Sequence, residues 1–267
     1  MRKLLVVLSL LLVGSAIPAR ANEASVFGNP DLVMSLGYKM WLNSWQTWDA
    51  GRGGANFVSF SEPGVGNMIP MALKYKNFFT SLNFMFTGDY LFPIYTDVTS
   101  AGVTQTVHER ASHDEIDWNV GYYVVPSQLG FTLGLKDVNQ HWNTAINNGA
   151  FSATNTNWHW IGPTFGITGA AGIGHGLSLF GNGVGGFMTE THDGEPAGQS
   201  DTATYESMEM GLAWKPQTLP MNVTFGYKYQ RINTKLDIAN TAANAPYADL
   251  RGIDVTSGYT LGINAFF

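Results

Sequence analysis

Apolar and polar side chains alternate at every second position along much of this chain, most clearly near its end. In the last nine residues Tyr259, Leu261, Ile263, Ala265 and Phe267 are apolar, and mostly small or polar residues lie between them. A period of two places these sets on opposite faces of a β-strand. An amphipathic helix would need apolar residues at three- and four-residue spacing, so the pattern predicts strands.

The same alternation predicts about ten antiparallel strands, joined in turn by short connections and long polar ones. The first strand is predicted at about 32–48, with Leu42 on one face and Trp41 and Trp45 on the other. Twelve strands would result if residues 57–60 pair within the first loop. The long connections are predicted at about 49–66, 90–107, 139–156, 189–202 and 235–250.

Two predicted hairpins repeat one arrangement, in which Gly is followed by Pro five residues later and by Gly-x-Lys after the turn. The registers predicted from this repeat place Asn119 opposite Lys136 and Glu209 opposite Lys228 on the inner face. The strand predicted at about 177–188 is so rich in glycine that its pattern does not assign its faces.

The terminal strand resembles the carboxyl-terminal assembly signal of Gram-negative outer-membrane β-barrels. The resemblance is carried by Tyr259, Leu261, Ile263 and the final Phe267. It implies an all-β fold, a closed antiparallel transmembrane barrel in the outer membrane. It also implies that the partners are outer-membrane lipid, lipopolysaccharide and the barrel-assembly machinery.

The first 21 residues have the layout of a secretory signal peptide. Arg2 and Lys3 form a basic start, residues 4–13 an apolar centre, and residues 19–21 (Ala-Arg-Ala) a small-x-small cleavage site. Cleavage near Ala21 would leave residues 22–267 as a single barrel domain. A retained amino-terminal anchor is the less favoured alternative, since the apolar centre is too short to span a bilayer.

Composition fits a protein that crosses a membrane in strands. Aromatic residues make up 13% of the chain and charged residues only 13%, about half the usual fraction. The chain has no cysteine, and no stretch after the signal approaches 18 consecutive apolar residues. The formal charge of −6 argues against nucleic acid as a partner, because binding it requires a basic face.

Charged side chains on the inner faces are the main functional lead. Buried charges must be paired or hydrated, which leaves two interpretations open. They form either a salt-bridge network that fills a narrow barrel or a water-filled path whose charges set selectivity. The predicted lumen-lining residues are Lys39, Lys74, Lys76, Glu115, Asp117, Lys136, Glu209, Lys228 and Asp254.

Six tryptophans lie near the predicted outer rim, where an interfacial aromatic girdle is the expected arrangement. The alternation places Trp41, Trp45 and Trp160 on the inward face, where a girdle would not have them. An alternative therefore remains, in which these rings line the mouth of the barrel and stack on a sugar or another flat ligand. The six are Trp41, Trp45, Trp48, Trp142, Trp158 and Trp160.

Candidate catalytic and metal-binding residues are few. His113, Glu115 and Asp117 share one strand face and could hold a cation, but no second strand supplies an obvious further ligand, so an ordinary polar rim is expected. No Ser is placed with a base and an orienting acid. We therefore predict no catalytic, cofactor-binding or metal-binding residues.

The favoured function is a small porin-like channel for passive passage of small polar solutes. The main alternative is a closed barrel that acts as a structural or surface-interaction protein through its external loops. An outer-membrane hydrolase is the least favoured class.

Overall fold

The computed structural model describes residues 29, 31–50, 56–98, 102–147, 150, 154–193, 200–235 and 251–267. The predicted signal peptide lies outside these residues. Within them the chain forms strands, turns and irregular segments without helices, and no helix is long and apolar enough to cross a membrane. The strands are β1 (Leu32–Ala50), β2 (Asn56–Phe60), β3 (Gly64–Tyr75), β4 (Phe78–Thr87), β5 (Tyr90–Leu91), β6 (Tyr95–Val98), β7 (Thr104–Val125), β8 (Leu129–Ile146), β9 (Thr154–Gly174), β10 (Leu177–His192), β11 (Asp201–Trp214), β12 (Met221–Lys235) and β13 (Arg251–Phe266).

Ten strand positions form a closed antiparallel barrel. β1, β3, β4 and β7 to β13 follow one another around the wall, and β13 pairs with β1 from Ser35↔Phe266 to Ala50↔Arg251. β2 continues the line of β3 along β1, while β5 and β6 continue the line of β4 along β7. The prediction of ten strands is confirmed. Residues 57–60 do pair with β1, but they extend the strand position of β3 and add no further position to the ring.

The predicted faces of the strands agree with the exposure of their side chains. In β1, Leu36 and Leu42 are 46% and 53% exposed, whereas Trp41 and Trp45 are 0% exposed. The glycine-rich β10 also has two faces, with Phe187 outward at 65% exposed. The wall therefore presents apolar side chains outward and encloses the remaining set, as in a membrane barrel.

The two ends of the barrel differ in the length of their connections. Turns at 76–77, 126–128, 175–176 and 215–220 join the strands at one end, which we call the turn end. The longer connections lie at the other, which we call the loop end. Lys76 has φ 54° within the first turn and is exposed, so its predicted place in the lumen is wrong.

Several strands are longer than predicted at the loop end. β8 continues to Ile146, β10 continues to His192, and β11 begins at Asp201, all within segments predicted as loops. Their polar composition predicted loops, but backbone pairing satisfies the N–H and C=O groups whatever side chains they carry. The barrel wall thus projects beyond its apolar belt.

One of the two predicted hairpin registers is correct. Glu209 pairs with Lys228 as predicted, whereas Lys136 pairs with Asp117 rather than with Asn119. An irregularity between Tyr123 and Val125, beside the turn at 126–128, accompanies the two-residue difference. The correction places a carboxylate, instead of an amide, opposite Lys136.

Candidate functional site

A charged network lies inside the barrel near the middle of β7 and β8. Lys136 lies between two carboxylates of β7: its Nζ is 3.0 Å from Asp117 Oδ1 and also contacts Glu115 Oε2. Lys136 is 0% exposed and Glu115 2% exposed. Ions can be buried so completely only when they are paired and hydrogen-bonded, and the register of β7 and β8 supplies the pair.

One hydrogen bond of this network joins side chains that reach into the interior from opposite walls of the barrel. Gln230 on β12 donates from Nε2 to Glu115 Oε1 on β7. Four strands lie between β7 and β12 in either direction around the ring, so the two strands face each other across the interior. Side chains from opposite walls therefore meet at this level.

A second group of charges continues the network towards β1. Lys39 Nζ lies 2.9 Å from Glu209 Oε1, and Thr260 donates its hydroxyl to the same oxygen at 2.9 Å. The Nζ of Lys228 lies 4.4 Å from the ring centre of Trp41, a cation–π contact. The two groups together contain three ammonium and three carboxylate groups, so their formal charges balance.

An aromatic layer covers the network on its loop-end side. The ring of Trp45 lies 5.1–5.7 Å, centre to centre, from the rings of Tyr90, Phe92, His113 and Trp142. These rings come from four strand positions and an irregular segment, and they pack against one another inside the barrel as side chains of a globular core do.

Four of the six tryptophans do not form the predicted girdle. Trp41, Trp45 and Trp160 are 0%, 0% and 2% exposed inside the barrel, as their inward parity requires, so the girdle is wrong for these three. Trp142 also points inward, because its ring contacts that of Trp45. The side chain of Trp48 lies outside the described residues. An aromatic belt requires lipid-facing rings.

Six of the nine predicted lumen residues form the network, and the other three lie elsewhere. Lys74 donates to Ser127 Oγ at 2.8 Å near the turn end, where Lys76 also lies. Asp254 accepts a hydrogen bond of 3.0 Å from the indole of Trp45, inside the barrel and towards the loop end.

Two histidine–carboxylate pairs were not found by sequence reasoning. His192 Nδ1 lies 3.2 Å from Glu190 Oε1, and His159 Nε2 lies 3.2 Å from Asp137 Oδ2. The first pair could have been predicted from the sequence, since residues two apart share a strand face. The second pair could not, because it depends on the register of β8 and β9. His113, expected at a polar rim, is instead 2% exposed.

The fold can be compared with solved structures. The outer-membrane protease OmpT from Escherichia coli superposes with a TM-score of 0.57 and 13% identity, over 88% of this chain and 97% of OmpT. This chain has an outer-membrane β-barrel fold. At such identity the likeness shows the fold and carries no activity. No family model and no curated protein matches the chain.

Other outer-membrane barrels are also similar, though more distantly. The toluene transporter TodX from Pseudomonas putida has a TM-score of 0.35 and 10% identity, over 90% of this chain and 91% of TodX. Neisserial surface protein A has a TM-score of 0.31 and 8% identity, over 86% of this chain and 96% of its own. The similar barrels thus include a protease, a transporter and a surface protein.

Proposed function

We propose that this chain is a closed outer-membrane barrel that acts at its outer surface, and that it is not a continuously open pore. The contact between Gln230 and Glu115, which joins opposite walls, is the observation that carries the proposal. Beside it Lys136 is fully buried, so its ammonium group has no surface exposed to solvent.

Passive passage of small polar solutes, the function favoured from the sequence, needs a continuous water-filled path. Four of the six charged side chains are buried and the other two partly buried in one balanced network, which favours the other interpretation, in which a salt-bridge network fills the barrel. The aromatic layer around Trp45 adds a second level of buried, packed side chains inside the barrel. Both features support the closed alternative over the porin-like one.

A filled interior makes the wall a rigid support for the loop end. Charge pairs and packed rings connect strands that are not neighbours, for example β12 with β7 and β1 with β8. We place the loop end outside the cell, because outer-membrane barrels carry long external loops and short periplasmic turns. Surface interactions would then use the projecting ends of the strands and the loops between them. Hydrolysis forms no part of the proposal.

Export and assembly belong to the same proposal. Residues 1–21 would direct export and be removed near Ala21. Tyr259, Leu261, Ile263 and Phe267 are 42–58% exposed on the outer face, which suits recognition by the barrel-assembly machinery and contact with lipid and lipopolysaccharide.

Conductance across planar bilayers tests whether the barrel is closed. We expect refolded wild-type protein to give no steady stepwise current. Trp41→Ala removes a fully buried indole next to the network and should produce measurable openings, because water can enter the space left. Trp118→Ala is the matched control, since this side chain is 49% exposed on the outer face. Steady, solute-permeable current from the wild type would contradict the proposal.

A further inference from the structure

A second cluster of ionisable side chains lies inside the wall at the loop end, apart from the mid-barrel network. It consists of Glu190 and His192 on β10 and Asp201 on β11, and one ligand atom from each lies within 4.8 Å of the others. Glu190 is 0% and Asp201 7% exposed. The side chain of His192 is 26% exposed, which leaves a route from solvent to the cluster.

The strand register places two of these carboxylates directly against each other. Glu190 pairs with Asp201 across β10 and β11, and both side chains face inward. Like charges directly opposite on paired strands repel, and removal from water strengthens the repulsion. A divalent cation between the two carboxylates would turn this repulsion into attraction.

The distances suit a small ion with few ligands. A tetrahedral ion with bonds of about 2.1 Å holds its ligand atoms about 3.4 Å apart. The imidazole nitrogen of His192 is already 3.2 Å from Glu190 Oε1. Since no pair of ligand atoms exceeds 4.8 Å, rotamer adjustments of about 1 Å would complete the set.

The donor types indicate which ions would bind. One imidazole nitrogen with two carboxylate oxygens suits zinc and neighbouring first-row ions, whereas calcium and magnesium prefer shells made of oxygen alone. Three protein ligands leave at least one position open for water or another group.

The surroundings hold the histidine in place. The ring of Trp158 on β9 stacks on His192 at 4.4 Å between centres and 21° between planes. Below the cluster, Trp160, Met188 and Tyr205 belong to a buried apolar group. An apolar shell that fixes a ligand ring and limits water is typical around protein-bound metals.

We propose that Glu190, His192 and Asp201 bind one divalent transition-metal ion of the zinc class at the loop end of the barrel. The site lies beyond the mid-barrel network, so it does not depend on whether the bore is closed.

Metal binding to the full mature chain tests this site. Protein refolded in detergent micelles and freed of metal with a chelator is titrated with Co²⁺, and visible d–d absorption is recorded. We expect one Co²⁺ per barrel, displaced by Zn²⁺ and not by excess Ca²⁺. His192→Ala and Glu190→Gln should each weaken binding at least about tenfold. Asp201→Asn provides a third variant if either fails to fold by circular dichroism.

The matched control is His159→Ala, which removes a histidine that also contacts a carboxylate, Asp137. This variant should bind Co²⁺ like the wild type. The site would be disproved if the wild type bound no Co²⁺ above background. Unchanged binding after His192→Ala, or loss of binding after His159→Ala, would equally disprove it.

Discussion

Lys136 is a fully buried charged residue and depends on the groups around it. Its ammonium group is 0% exposed and lies between Glu115 and Asp117, with the ring of Tyr205 5.1 Å away. A buried pair of this kind gains little over an apolar pair, but removing one partner leaves an uncompensated charge.

Replacing Lys136 by Met should therefore destabilise the barrel by about 3–5 kcal/mol, because Glu115 would remain buried without its partner. The free energy of unfolding in urea, measured in lipid vesicles, checks this value. Adding Glu115→Gln should recover part of the loss. Lys74→Met at the turn end is the control and should change stability by less than about 0.5 kcal/mol. A Lys136→Met protein as stable as the wild type would argue against the buried pair.

Among the elements, β1 and β13 were the easiest to predict, because each has one lipid-facing and one inward face and therefore a strict period of two. The polar ends of β8, β10 and β11 were not, since backbone pairing continues where the side-chain pattern stops. The pairing of Lys136 with Asp117 also could not be read from the sequence, because it depends on the geometry of one turn. The six charged residues of the network could be predicted from the alternation, which places them on inward faces. The contact between Gln230 and Glu115 could not, because it depends on which strands face each other in the closed ring.

Two glycines of β13 allow a test of how closely neighbouring strands approach. A Cβ at Gly258 would collide with the backbone of Leu42 and Asn43 on β1, whereas a Cβ at Gly252 would meet nothing within 4 Å. Gly258→Ala should thus cost about 1–3 kcal/mol, since one strand must move to avoid overpacking. Gly252→Ala should be nearly neutral. Thermal unfolding of both variants measures the difference, and equal stability would contradict the close approach of β1 and β13.

For the whole molecule, the central feature is that opposite walls are joined through their side chains. A ten-stranded wall lies just above the size at which side chains alone fill the interior. Here long side chains close the remaining gap: Glu115 and Gln230 meet from facing strands, and Trp45 and Trp142 meet in the layer above. These contacts between strands that are not neighbours stabilise the barrel as core packing stabilises a globular domain.

A double-mutant cycle between Glu115 and Gln230 tests this closure most directly. The free energies of unfolding of Glu115→Ala, Gln230→Ala and the double variant are compared with that of the wild type. Because the two side chains touch across the interior, we predict a coupling energy of about 1–3 kcal/mol. Effects that add within about 0.5 kcal/mol would mean that the two side chains are not in contact. This result would contradict an interior that is closed by side chains from opposite walls.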